Sequence, residues 1–220
     1  MRKMSLGVLA IALLLMGGSA LADTVSVGDV IEFNDGLAAR PSGWNGGPFE
    51  VVPAVGDNFL TFCLEKNETL SFSDPFYVYD VSNAAHEGGV GGSEPDPISE
   101  GTAWLYTAFR AGTLGTSVPG FDGSDLAVIA LQNAIWALEE EIGTPDAGDG
   151  LFYDLYQAAL GHGGTADYDG TYVRVINIQW TTGQREGQVA QSVLMVPEPS
   201  LLLLLGAGLL GVGVFSRRRR

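Results

Sequence analysis

Residues 125–141 read DLAVIALQNAIWALEEE. Leu131, Ile135 and Leu138 recur at helical spacing and share one face, which predicts an amphipathic helix packed through that stripe. Asp122 or Ser124 supplies an oxygen to cap its first turn, and Gly143 with Pro145 stops it. Working outward, residues 99–111 (SEGTAWLYTAFRA) repeat the pattern through Trp104, Leu105 and Ala108, behind Ser99 as N-cap. Residues 151–160 (LFYDLYQAAL) read as a third helix. On either side of these helices the hydrophobic period shortens to two. Residues 24–33 (TVSVGDVIEF) and 59–65 (FLTFCLE) read as strands, and residues 69–79 are β-like but broken at Pro75. Residues 172–180 and 188–196 read as an antiparallel pair. Residues 34–53 and 83–97 are rich in Gly and Pro and read as long loops. Strands, then helices, then strands predict an α+β domain, a mostly antiparallel β framework with a helical insertion.

The two ends of the chain are of a different kind. Arg2 and Lys3 precede a short apolar run, residues 6–16, and Ala20-Leu21-Ala22 gives the small-x-small pattern of signal peptidase cleavage. Residues 1–22 are therefore expected to be a signal peptide, with the mature chain starting near Asp23. At the other end Pro197-Glu198-Pro199 precedes an apolar run of 15 residues, 201–215, and then Arg217 to Arg220. A run of that length is short for a bilayer core, which takes about 20 residues, and the arginines form a cytoplasmic stop. A plain C-terminal membrane anchor would look similar. The tripeptide, apolar helix and arginine cluster, in that order at the extreme C-terminus, resemble the PEP-CTERM sorting signal of Gram-negative bacteria. The resemblance covers residues 197–220. It implies a C-terminal transmembrane sorting helix, anchoring in the inner membrane before processing, and cleavage by an exosortase. The product is expected at the cell surface or in the extracellular matrix.

The two ends hold six of the 11 Lys and Arg and one of the 26 Asp and Glu, so residues 23–196 carry 5 basic against 25 acidic side chains, a net −20. That balance argues against nucleic acid or anionic lipid as partner of the mature domain. The length suits one domain with a core of its own.

Cys63 is the single cysteine, and exported proteins usually carry paired cysteines or none. It follows an aromatic residue in Phe62-Cys63-Leu64-Glu65, and Gln132 lies 69 positions on, in Leu131-Gln132-Asn133-Ala134-Ile135-Trp136. An aromatic-Cys pair followed by apolar-Gln-x-x-apolar-aromatic is similar to the thioester domains of bacterial surface adhesins, found usually in Gram-positive bacteria. The resemblance implies an α/β domain with helices inserted between the two residues. It also implies an internal thioester between Cys63 and Gln132 that acylates an amine on a partner. Phe62, Trp104, Tyr106 and Trp136 are candidates for an apolar shell that slows water, and Glu65 for local proton transfer, because a strand puts it on the same face as Cys63. The alternative is a non-covalent structural protein of the matrix or biofilm, in which Cys63 and Gln132 only pack.

No other chemistry is written in the chain. Asp122-Gly123-Ser124-Asp125, Asp146-Ala147-Gly148-Asp149 and Asp167-Tyr168-Asp169 read as solvated turns, since none follows the EF-hand pattern. His86 and His162 lie in Gly-rich loops without zinc-ligand spacing. No Gly-x-Ser-x-Gly and no phosphate-cradling loop occurs, so neither an enzyme nor a cofactor is expected. Glu139-Glu140-Glu141 reads as a solvated face or a contact for Arg110.

Overall fold

Alternation of buried and exposed side chains builds the framework. In β1 (Val30–Asp35) Ile31 and Phe33 are buried while Val30 and Glu32 face outward. The strands β2 (Phe49–Pro53), β3 (Phe59–Thr61), β4 (Phe76–Ser82), β7 (Arg174–Trp180) and β8 (Val193–Met195) join it in one sheet of order β3-β2-β1-β4-β7-β8. Every pairing in this sheet is antiparallel. A two-stranded ladder, β5 (Ala84–Ala85) with β6 (Asp96–Pro97), stands apart. The computed structural model describes residues 23–72 and 74–197. The expected signal peptide, the apolar sorting helix, Glu198 and Pro199 lie outside the described residues.

The two edge strands of the sheet meet. Cys63, just past β3, forms an isolated antiparallel bridge with Val193 of β8. The Leu64 N–H donates to the Ser192 carbonyl at 3.1 Å and the Thr61 hydroxyl to the Leu194 carbonyl at 2.6 Å. This contact leaves less free edge at β3 and β8, where unpaired backbone groups invite aggregation. Phe33, Phe49, Val51, Phe76, Val78, Ile176, Ile178 and Cys63 form the apolar cluster between the strands.

Between β6 and β7 the chain inserts α1 (Glu100–Arg110), the short α2 (Leu114–Ser117), α3 (Asp125–Leu138) and α4 (Leu151–Leu160). Ser99 caps α1, its hydroxyl accepting from the Thr102 N–H, and Ser124 caps α3 through the Ala127 N–H. The helices bury Leu105, Tyr106, Leu131, Ile135, Leu138 and Leu155 in a second cluster that also takes Phe62 and Leu64. The α+β architecture with a helical insertion is therefore the fold of the chain.

Several local expectations are corrected. The strand expected over 24–33 is confined to its last part and runs to Asp35, because Gly28 (φ +100°) turns the chain first. The loop expected over 34–53 ends in β2, where Phe49 and Val51 alternate inward behind the glycines. The β-like stretch broken at Pro75 becomes a strand starting one residue after that proline, which has no N–H for the ladder. The glutamate run is no solvated face, since Glu139 and Glu141 are buried. Glu139 Oε1 accepts from the Ser99 N–H at 3.2 Å and hydroxyl at 2.8 Å. The Glu141 carboxylate accepts backbone N–H groups of Lys66, Val90 and Gly91. Arg110 turns instead to Asp23, in a bidentate pair at 2.7 and 2.9 Å.

Candidate functional site

Two elements bring Cys63 and Gln132 together. Cys63 lies at the junction of the sheet edges, and Gln132 projects from the middle of α3. The contact is reciprocal. The Cys63 N–H donates to Gln132 Oε1 at 2.9 Å, and Gln132 Nε2 donates to the Cys63 carbonyl at 3.0 Å. Gln132 is wholly buried and Cys63 is 2% exposed. Burial pushes the Cys63 thiol well above its usual pKa, and the nearby Gly47 N–H partly offsets this. The resting thiol is therefore protonated in an apolar setting.

The third component is the loop between β1 and β2. The Gly47 N–H donates to Gln132 Oε1 at 2.9 Å, so that oxygen holds two backbone N–H groups. Two glycines permit this approach. A Cβ on Gly47 would sit 2.8 Å from Gln132 Oε1, and one on Gly46 would sit 2.7 Å from the Trp44 and Trp136 rings and 2.9 Å from Gln132 Cγ. The loop is held at several points. Arg40 donates to Asp35 at 2.8 and 2.6 Å and to the Gly46 carbonyl at 2.7 Å, while its guanidinium stacks over Phe49 and Phe72. Hydrogen bonding from Arg40 also holds the Asp35 carboxyl below its ordinary pKa. Trp44 Nε1 donates to the Gly47 carbonyl at 3.0 Å. Asp125, the first residue of α3, accepts from the Ala38 and Ala39 N–H groups at 3.1 and 2.8 Å. The helix that carries Gln132 therefore also fixes the loop that meets it.

A cleft of about 230 Å³ reaches Cys63 from outside, walled by Trp44, Phe49 and Phe72, with Arg40, Lys66 and Glu68 among its polar lining. Desolvation raises the Glu68 carboxyl above its ordinary value. Glu65 is buried near Cys63. Its Oε2 accepts from Gln191 Nε2 at 2.9 Å and the Ser192 N–H at 3.1 Å, while Oε1 has no hydrogen-bond partner. Desolvation pushes its pKa up to about 8.

The other shell candidates are distributed differently. Trp136 packs against Trp44 at 5.5 Å between ring centroids, in the cluster that holds Cys63. Phe62, just past β3, packs among the helices and not in the cluster of Cys63, in edge contact with Tyr106 and Phe109. The Tyr106 hydroxyl donates across the sheet edges, lying 3.0 Å from the Leu60 carbonyl and 3.1 Å from that of Leu194. Trp104 stacks on His162 at 4.0 Å within the helical layer. Arg40, Trp44, Gly46 and Gly47 belong to the site without any motif in the sequence to mark them. A tryptophan inside a Gly-rich loop, Trp44-Asn45-Gly46-Gly47-Pro48, was the available signal.

The fold is similar to the N-terminal domain of the Streptococcus pyogenes pilus tip adhesin Cpa, with a TM-score of 0.47 and 10% identity, over 80% of this chain and 96% of that one. No curated protein matches the chain. Residues 196–220 match the PEP-CTERM protein-sorting motif, a signal for export and exosortase processing, so the chain is an exported protein with a C-terminal sorting signal.

Proposed function

We propose that residues 23–196 form a covalent binding module of the cell surface or extracellular matrix, working through a thioester between Cys63 and Gln132. The observation that supports it is the reciprocal 2.9 and 3.0 Å contact of the Gln132 amide with Cys63, in a buried place that a cleft approaches from outside. The Cys63 sulfur attacks Gln132 Cδ, the Cδ–Nε2 bond breaks, and the thiol proton leaves with the nitrogen as ammonia. A thiolate leaves far more readily than an amide nitrogen, so an inert glutamine becomes an acylating group. An amine of a partner then attacks Cδ, the Cδ–S bond breaks, and the amine's proton restores the thiol. The partner ends in an amide bond to Gln132. The event happens once, without turnover.

Glu65 is proposed as the local proton carrier, because burial keeps it largely protonated near neutral pH with one oxygen outside any hydrogen bond. Sorting would place the module outside the cell, after signal peptidase has removed residues 1–22 and an exosortase has acted near Pro197-Glu198-Pro199.

A non-covalent matrix protein is the second reading. The observation favouring it is that three hydrogen bonds already satisfy the Gln132 amide oxygen and nitrogen. Methylamine separates the two. The covalent module takes up one methylamine per chain, and Cys63→Ala abolishes uptake while the protein stays folded. Uptake that survives Cys63→Ala sinks the covalent reading.

A further inference from the structure

Resting on the thioester reading, we infer that the backbone N–H groups of Gly47 and Cys63 are an oxyanion hole for the Gln132 carbonyl, active both when the thioester forms and when an amine opens it.

Both steps pass through a tetrahedral carbon. As sulfur attacks Gln132 Cδ, the π pair of the carbonyl moves onto Oε1 and makes it an alkoxide. Collapse re-forms the carbonyl and expels ammonia. In the second step the amine nitrogen attacks the same carbon, the pair moves again to Oε1, and collapse expels the thiolate. The negative charge appears twice on one atom. That atom has two N–H donors, each at 2.9 Å, from residues on different segments of the chain. These are distances to the resting amide oxygen, and they already fall within the range of about 2.7–3.1 Å at which donors meet the oxyanion itself. The site is buried, so neither donor must reorient from water as the charge develops.

The surroundings fit donors fixed in place better than an incidental contact. Gly47 comes so near that a Cβ would meet Gln132 Oε1 at 2.8 Å, the Thr61 carbonyl at 3.1 Å and Phe62 Cα at 3.2 Å. Its carbonyl is held by Trp44 Nε1, and the carbonyl of Gly46 by Arg40. The second donor belongs to the nucleophilic residue itself and is fixed by the bridge of Cys63 to Val193. Gln132 Nε2 rests on the Cys63 carbonyl, which turns the amide so that its oxygen faces both donors.

Gly47→Ala tests the assignment, because its methyl group separates Oε1 from the Gly47 N–H. In the processed protein, the variant should form the thioester and take up methylamine about 100-fold more slowly, the usual scale for losing one such donor. A second measurement needs no variant. With glutamine carbon labelled as ¹³C, the thioester carbonyl stretch of the wild type should lie below that of a simple alkyl thioester in an apolar solvent. It reads hydrogen bonding at the oxygen directly, and it decides the matter if Gly47→Ala does not fold. Uptake by Gly47→Ala at the wild-type rate, or a stretch at the apolar value, overturns the oxyanion hole and leaves the thioester standing. A wild type with no thioester band and no amine uptake overturns both.

Discussion

Replacing Glu65 by Gln should stabilise the domain above neutral pH. Glu65 is 3% exposed, and its carboxyl holds two hydrogen bonds through Oε2 and none through Oε1. Desolvation is the main reason its pKa rises from 4.5 in a free side chain to about 8 in the fold. The native protein therefore keeps a proton that the unfolded chain gives up. The contribution of Glu65 to stability is greatest below about pH 4.5, falls as pH rises, and levels off once the folded carboxyl ionises near 8. At 1.36 kcal/mol per unit the full shift corresponds to about 5 kcal/mol, and local relaxation reduces this to roughly 2–3 kcal/mol. Glu139, raised mainly by burial to about 7, adds a slope of the same sign that ends one unit lower. Glutamine keeps an oxygen for Gln191 and Ser192 and carries no charge. Urea melts from pH 5 to 9 should thus show wild type losing stability and Glu65→Gln losing much less, with the variant the more stable protein at pH 8.5. Equal slopes, or a variant less stable at pH 8.5, would refute the reasoning.

Three other substitutions separate scaffold from site. Arg110→Ala leaves the Asp23 carboxylate buried without its cation, so it should lower stability by about 3–5 kcal/mol in a urea melt, whereas Arg185→Ala, which loses an exposed hydrogen bond to Thr69 and a guanidinium contact over the Trp180 ring, should lower it by about 1 kcal/mol or less. Trp104→Ala removes the stack on His162. It should lower the melting temperature while methylamine uptake proceeds at the wild-type rate, because the contacts of Trp104 lie in the helical layer.

The legible part of the sequence was the part governed by local rules. Ser99 and Ser124 cap their helices because a side-chain oxygen before an apolar repeat satisfies N–H groups of the first turn. The change of period from two to 3.6 and back located the helical insertion. What escaped depends on distant segments meeting. The Glu139–Glu141 run looks exposed from its charge, and only the fold brings the Ser99, Lys66, Val90 and Gly91 N–H groups to its carboxylates. The sequence offers those glutamates to Arg110, yet Asp23 reaches it from the start of the domain. In the site, Cys63 and Gln132 stood out as residue types in a motif. Gly46 and Gly47 did not, because a glycine chosen for close approach looks in sequence like a glycine chosen for a turn. The motif sets Phe62 beside Cys63, but neighbours on an extended chain face opposite sides, and Phe62 serves the helices while Cys63 serves the sheet cluster.

The most direct test of the covalent account is the intact mass of the processed protein under non-reducing conditions. Loss of ammonia on closing the thioester predicts a mass about 17 Da below the sequence value, and methylamine then adds about 31 Da. Finding the full sequence mass, with a free Cys63 thiol and no amine uptake, would contradict it and leave Gln132 as a buried structural residue.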